Sequence, residues 1–403
     1  MIDLLGRNIF GTSKETTMKL TFVGTIYGMV TQLFAPISLI LEVKLGIKKA
    51  IVIAMVLFCV GMSAAGFSTQ IWQMYLSVGF CAGFAASIFW SISFRVPIQW
   101  FDSKRRGLIM GIPPMGISAS GFLIPFIMTA VSNNPSLGVY WSFRILAIAF
   151  IIVDIIACIV MREKPSYSDG TEEDKVYKEK VDHHKNISSV NETFCDEILN
   201  IMNWNLLKNK KFATWILIYF TQALVAQLPL HIIPSYAGHI GLTNFQASTL
   251  ISIICAINIP AKALQGYLAD TIGNLNTLIL ASFINAMASL FLWSFSFSYS
   301  SLIGLMVLFG LFNGTHSTVA APTVAAIVGI DDLPSGNAFL WVFTSPAMFG
   351  PSIAASIELL NNGRPFLTYQ LFTGLTLIVS ILIIYVLKFQ LRNKNESIIF
   401  TKF

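Results

Sequence analysis

The sequence predicts an all-α, polytopic membrane protein, and three observations support this fold class. Of its 403 residues, 55% are hydrophobic and only 11% are charged, whereas a water-soluble domain is about 25% charged. The hydrophobic residues form runs of about 20, the length that an α-helix needs to cross a bilayer. Lysine and arginine collect at the ends of these runs, as they do at the cytoplasmic ends of membrane spans.

Reading the chain with a window of about 20 residues predicts about eleven spans. Five precede a long polar segment and six follow it. They are residues 19–42, 50–67, 71–95, 107–130, 139–161, 212–234, 246–268, 276–297, 300–328, 336–357 and 366–388.

These spans divide the chain into five parts. The polar segment at 162–211 is mixed in charge and poor in hydrophobic residues, so we expect it to be largely disordered. The parts are an N-terminal segment (1–18), a five-helix bundle (19–161), the central loop (162–211), a six-helix bundle (212–388) and a C-terminal tail (389–403).

The basic residues predict the orientation. Clusters of basic residues follow the first, third and fifth spans. These three span ends fall on one side of the membrane, which must be the cytoplasm. The N-terminal segment is therefore expected outside, and the central loop and the tail inside. Arg364 is the exception to this pattern.

Several function classes are excluded by what the sequence contains. The net charge of +6 comes from residues at span ends rather than on one helix face, so a nucleic-acid partner is not expected. The five cysteines form no Cys-x-x-Cys pair, which argues against a metal site or a disulfide framework. A nucleotide-binding loop and a catalytic constellation are both missing from the sequence pattern, so we predict no cofactor and no enzymatic activity.

A loop motif follows the span at 246–268. It reads Gly266-Tyr-Leu-Ala-Asp270-Thr-Ile-Gly273. Glycine permits a tight exit from the helix, and we expect Asp270 to cap the next helix and to meet cations at the cytoplasmic face. The corresponding first-half stretch, 41–49, keeps Gly46 and a basic pair and lacks the aligned aspartate. The motif predicts a conformational latch, and the alternative is an ordinary charged turn.

Lys262 lies within the same hydrophobic span. A lysine inside a spanning helix costs about 2.5–3.5 kcal/mol on insertion scales, so it usually faces a partner or a water-filled path. This placement favours an anion-binding site. The alternative is a lysine that snorkels to the cytoplasmic surface.

Further strings identify a family. A run from Thr69-Gln-Ile-Trp-Gln-Met-Tyr75 leads through a glycine-rich span to Gln99-Trp-Phe101 and the cluster Lys104, Arg105 and Arg106. The second half adds Asn313-Gly-Thr and Phe349-Gly-Pro351. Over about residues 8–390 the chain resembles the fungal branch of the monocarboxylate transporter-like family, within the major facilitator superfamily.

This resemblance implies a fold and a function. The major facilitator fold has two six-helix bundles with the substrate site between them, so the chain resembles a member that lacks its first helix. The implied function is secondary active transport of a small organic anion by alternating access, with protons as a candidate coupling ion. The alternative is an N-terminally truncated relative that does not transport or that has a sensing role.

The resemblance also implies site residues. In animal relatives, the helix matching 246–268 carries an aspartate and, four residues later, an arginine that contact substrate and proton. Here these positions are Asn258 and Lys262. Lysine keeps the positive charge without the guanidinium fork, and asparagine cannot take up a proton. In the family layout the spans 212–234 and 300–328 line the cavity, which makes Gln222, Asn313 and His316 further candidates for substrate binding.

The expected surroundings follow from the same reasoning. The protein's partners are the lipid bilayer and a small organic anion, with the oligomeric state left open. We expect the plasma membrane rather than the vacuolar or another internal membrane.

Overall fold

The computed structural model describes residues 14–100, 106–132, 138–161, 202–329, 332–360 and 364–392. The predictions for residues 1–13, for most of the central loop, for Lys104 and Arg105, and for the tail beyond 392 lie outside these residues. The side chain of Arg106, the first residue of a helix, is not described either. Within the described ranges, the regular structure is entirely helical.

The described residues of the first half form seven α-helices. They are α1 (Lys14–Leu33), α2 (Ala35–Leu45), α3 (Ile47–Ala65), α4 (Ile71–Met74), α5 (Gly83–Trp100), α6 (Arg106–Ser132) and α7 (Gly138–Val160). A π-helical segment, Tyr75–Ala82, joins α4 to α5. Helix α1 begins at Lys14, five residues before the predicted span.

Nine α-helices lie in the described part of the second half. They are α8 (Lys210–Ala226), α9 (Leu228–His239), α10 (Asn244–Ile272), α11 (Asn274–Met287), α12 (Tyr299–Phe312), α13 (Thr315–Val328), α14 (Leu333–Thr344), α15 (Gly350–Leu360) and α16 (Leu367–Leu391). Residues Trp204–Lys208, within the predicted central loop, form a 3₁₀ helix.

The helices agree with a polytopic membrane protein. Nine helical stretches among the described residues are long and hydrophobic enough to cross a bilayer. A tenth results if α1 and α2, which meet at a bend of 51°, form one span. The predicted span at 107–130 lies on α6.

Four predicted spans depart locally from a regular α-helix, although only the first bends by more than 40° and the other three remain single helical stretches of 28–30 residues. The breaks fall between α1 and α2, between α8 and α9, between α12 and α13, and between α14 and α15. A window of mean hydropathy cannot detect such breaks, because one or two residues with an unusual backbone leave the average unchanged.

Contacts between helices divide the chain into two compact units. The first unit contains α1 to α5, α7, the 3₁₀ helix and α14. Its core includes Val23, Ala54, Ile88, Phe94 and Phe143, each at most 2% exposed. The division does not follow the two halves of the sequence, because α14 packs against α2 in this unit.

The second unit contains α6, α8 to α13, α15 and α16. Its core is formed by large hydrophobic side chains that include Leu250, Trp293, Leu305 and Phe309. Helix α6 packs along α10 in this unit. The predicted bundle boundaries at 161 and 212 remain a prediction, since these units group the helices differently.

The outer helices expose hydrophobic side chains. On α3, Val52, Val56 and Val60 form a stripe four residues apart, and each is at least 43% exposed. Residues with such spacing lie on one helix face. A face of this kind is suited to lipid, where the backbone is satisfied within the helix.

Candidate functional site

The break between α12 and α13 is the centre of the candidate site. Helix α12 ends at Phe312, Asn313 is extended with φ −68° and ψ 142°, and Gly314 has φ +72°. Glycine adopts positive φ at little cost, and an Asn-Gly pair is a turn signal even inside a hydrophobic run. The break leaves carbonyl groups at the end of α12 without partners in the helix.

One face of α10 supplies these partners. Lys262 Nζ donates to Gly314 O at 2.6 Å and to Asn313 O at 3.3 Å. Gln265 Nε2 donates to Leu311 O at 2.8 Å. A cation and an amide at the end of α12 are favourable because the C-terminal end of a helix is partly negative.

Asn258 extends the same face by one turn. Its Nδ2 donates to Asn313 O at 3.2 Å, and its Oδ1 accepts from Ser118 Oγ of α6 at 2.9 Å. Positions 258, 262 and 265 are four and three residues apart and therefore share one face of α10. The structure thus brings Asn258, Lys262 and Asn313, three of the predicted site residues, into contact.

Glycines allow the backbones to approach at this point. A Cβ at Gly111 of α6 would lie 2.6 Å from Lys262 O, and a Cβ at Gly314 would lie 2.8 Å from Lys262 Nζ. Small residues permit such close packing of spanning helices. Substitution of either glycine therefore acts on the lysine directly.

In the structure, Lys262 does not snorkel to the surface. Lys262 is 4% exposed and its ammonium group points into the second unit. Its acceptors are Gln265 Oε1, Asn313 O and Gly314 O, all uncharged. Among the described residues, no carboxylate forms an ion pair with it.

A small polar cavity lies beside the break, within the second unit. Its lining includes three of the predicted residues, Gln222, Asn313 and His316. Lys262 is not part of the lining and reaches it through the carbonyls of Asn313 and Gly314. The free space has room for about one water molecule.

Local contacts hold the lining side chains. Gln222 Nε2 donates to Ser282 Oγ at 2.6 Å and to Ser380 Oγ at 2.9 Å. His316 is 8% exposed and packs edge-on against Tyr219, with the ring centroids 5.0 Å apart.

Asn313 links two interrupted spans. Its Nδ2 donates to Ala226 O, the last residue of α8, at 2.9 Å. The break after α8 and the break after α12 are therefore connected by one side chain, while the main-chain oxygen of Asn313 accepts from α10.

The loop motif at the end of α10 makes a contact that the sequence did not predict. Gly273, with φ +95°, terminates α10 and begins α11 without a side-chain cap. Asp270 Oδ2 instead accepts from the backbone N–H of Leu108 in the first turn of α6, at 3.0 Å. A carboxylate there is stabilised by the partial positive charge of the helix N-terminus. Gly266 is buried on the preceding turn.

The first unit contains a buried acid that the loop comparison missed. Glu42 is 2% exposed, forms an ion pair with Arg95 at 3.2 Å and accepts from Ser91 Oγ at 3.3 Å. Glu42 lies one residue before the position aligned with Asp270, so the motif comparison counted the acid as lost. Gly46, with φ +79°, ends α2 as Gly273 ends α10.

Two residues of the α10 network were not singled out from the sequence. Gln265 is 1% exposed, and Thr318 donates to its Oε1 at 3.2 Å. The signal was available, because polar residues at 258, 262 and 265 repeat with helical spacing in a hydrophobic span.

Comparison with known proteins gives consistent results. The family model described as Major Facilitator Superfamily matches residues 7–351. A protein named MFS-type transporter from Gibberella moniliformis is 24% identical over 314 residues, which cover 78% of this chain and 69% of that protein. Monocarboxylate transporter 2 of Mus musculus is 24% identical over 362 residues, 87% of this chain and 72% of its own length.

A solved structure supports the fold. The crystal structure of the human organic anion transporter MFSD10 (TETRAN) superposes with a TM-score of 0.66 at 14% identity. The superposition covers 95% of this chain and 88% of that one. At this identity the likeness concerns the fold alone.

Proposed function

Because this chain belongs to the Major Facilitator Superfamily, we propose that it carries a small organic anion of the monocarboxylate class across a membrane by alternating access. The family consists of transporters rather than enzymes, and the similar proteins named above are transporters. The substrate class is our inference and rests on one observation, the uncharged surroundings of the buried Lys262.

A buried cation with only neutral acceptors favours an anionic ligand. Placing a lysine in a spanning helix costs about 2.5–3.5 kcal/mol, and the carbonyl and amide oxygens around Lys262 offset this cost only in part. The three N–H donors of the ammonium group are occupied by these neutral oxygens, so a carboxylate that reaches it would replace one of them and bring a compensating negative charge.

The broken helices supply a means of movement. The cavity beside Asn313 has room for about one water molecule, so a carboxylate of several atoms requires a change of conformation. Two-residue breaks such as Asn313-Gly314 are positions where a helix pair can change its angle. Asn258, Asn313, His316 and Gln222 then act as polar contacts around the ammonium group.

Coupling and location complete the proposal. Position 258 is an asparagine and supplies no group that takes up a proton, so proton coupling requires another residue. Stimulation of uptake by an inward proton gradient supports proton coupling, and uptake that ignores the gradient contradicts it. For the location we propose the plasma membrane, which fluorescence microscopy of the tagged protein in its native cell tests.

The substrate class is tested by uptake into proteoliposomes. Radiolabelled lactate, pyruvate and acetate represent small monocarboxylates, succinate a dicarboxylate and glucose an uncharged solute. We expect saturable uptake of at least one monocarboxylate, inhibited by the other monocarboxylates and not by glucose. Uptake of glucose with no uptake of any carboxylate would contradict the proposal.

A further inference from the structure

We propose that Gln265 is a positioning residue of the anion site, which holds the Lys262 ammonium group and the end of α12 in register. This inference rests on the proposed function, because it assigns Gln265 a part in binding the transported anion. Gln265 belongs to none of the family strings described above, and it is not part of the lining of the cavity beside Asn313.

The hydrogen bonds of Gln265 determine the orientation of its amide. Nε2 donates to Leu311 O at 2.8 Å, in the last turn of α12. Oε1 therefore faces the opposite way and accepts from Lys262 Nζ at 3.3 Å and from Thr318 Oγ1 of α13 at 3.2 Å. One buried amide thus contacts α10, α12 and α13, on both sides of the break.

This orientation has a consequence for the lysine. A side-chain oxygen three residues after Lys262 draws the ammonium group toward the carbonyls of Asn313 and Gly314. When an anion approaches, the ammonium group can exchange a main-chain carbonyl for a carboxylate while the bond to Gln265 is kept. Since Gln265 also holds Leu311 O, the end of α12 keeps a partner during this exchange.

Two substitutions separate charge from structure. Gln265→Glu preserves shape and places a carboxylate beside the ammonium group, where it competes with the transported anion. Gln265→Met removes all three side-chain hydrogen bonds without adding charge. We expect Gln265→Glu to raise the KM for lactate by about tenfold or more, the factor that corresponds to about 1.4 kcal/mol. Gln265→Met raises the KM less, and in both variants Vmax changes less than KM.

A matched control is available in the same unit. Gln370 on α16 is 5% exposed and accepts from Ser294 Oγ at 2.9 Å, away from the α10 network. Gln370→Glu introduces a buried carboxylate without facing Lys262, so the KM for lactate stays at the wild-type value. Equal KM values for Gln265→Glu and Gln265→Met, or a change in Vmax alone, would overturn the assignment.

A structural measurement distinguishes failure of this inference from failure of the proposed function. Spin labels on Ser300→Cys and Ala326→Cys, at exposed positions near the outer ends of α12 and α13, report the angle at the break by electron–electron distance measurement. We expect Gln265→Met to shift or broaden the distribution of distances between these two labels. As a control, the distance between labels at Ser248 and Thr271, both on α10, is expected to stay unchanged in the same variant.

Uptake and label distances together separate the inference about Gln265 from the proposed function. Wild-type protein that transports no carboxylate refutes the proposed function, and the role in anion binding falls with it. If wild type transports lactate, but Gln265→Met leaves the distances and Gln265→Glu leaves the KM unchanged, the inference about Gln265 alone is refuted.

Discussion

Gly314 is the residue whose substitution tests the helix break most sharply. In Gly314→Ala, an L-residue must adopt φ near +72°, which costs about 1–2 kcal/mol. The new Cβ would also lie 2.8 Å from Lys262 Nζ, so the ammonium group has to retreat by about 0.6 Å to reach an ordinary contact of 3.4 Å. The variant therefore combines backbone strain with displacement of the lysine.

The expected effect on transport follows from the displacement. A misplacement of about 1 Å in a binding group can cost a factor of 10², and a shift of about 0.6 Å corresponds to roughly tenfold. We expect the KM for the transported monocarboxylate to rise by about that factor. The assay is initial-rate uptake into proteoliposomes over a range of substrate concentrations.

Gly241→Ala is the matched control. Gly241 has φ +86°, and a Cβ there meets no atom within 4 Å. Both variants carry the same kind of backbone strain, so both lower the midpoint of thermal unfolding, and Gly314→Ala lowers it further because its Cβ also meets Lys262 Nζ. Only Gly314→Ala raises the KM. If the two variants have the same KM, the link between the break and Lys262 is refuted.

Three further predictions concern other parts of the chain. Asp270→Asn removes the negative charge that accepts a hydrogen bond from the first turn of α6. Because a charge at a helix terminus is worth about 0.3–1 kcal/mol, we expect Vmax of uptake to fall while KM stays within about twofold. Gly350→Ala forces a Cβ against the main-chain oxygen of Leu224, so we expect size-exclusion chromatography to show loss of folded protein. Gly304→Ala is the control, because a Cβ there meets nothing within 4 Å. Asp154 is 6% exposed, and its Oδ2 has no hydrogen-bond partner among the described residues. We therefore expect Asp154→Asn to raise the midpoint of thermal unfolding and to leave uptake unchanged. A large loss of uptake would show that this carboxyl takes part in transport.

The sequence predicted the parts of the fold that depend on average composition. The membrane class follows from the scarcity of charge, and the spans follow from runs of hydrophobic residues. The structure agrees because lipid imposes helices on every spanning segment. The interruptions escaped this reasoning, since the turn at Asn313-Gly314 involves two residues within a hydrophobic run of about 30.

The sequence pointed to several residues of the candidate site but not to the contacts between them. Lys262 stood out because an intramembrane charge is expensive, and its spacing to Asn258 was visible. The sequence did not reveal that the ammonium group binds carbonyls at the end of α12. That contact depends on the break, and the positive φ of Gly314 becomes apparent only in three dimensions.

The loop motifs show a similar limit. The glycines at 46 and 273 both adopt positive φ, as a tight exit from a helix requires. The bond that Asp270 accepts from the first turn of α6 joins residues distant in sequence, so sequence spacing did not predict it. In the first unit, a shift of one residue concealed Glu42 from a comparison that relied on fixed spacing.

The anion site itself is tested most directly by changing the charge at position 262. Lys262→Met removes the cation, Lys262→Arg retains it, and Lys388→Met removes another lysine, 1% exposed, that bonds to Asn276 on α11. We predict that uptake of the transported monocarboxylate is lost in Lys262→Met, is retained at least in part in Lys262→Arg, and keeps the wild-type KM in Lys388→Met. Uptake by Lys262→Met with the wild-type KM and Vmax would contradict the account.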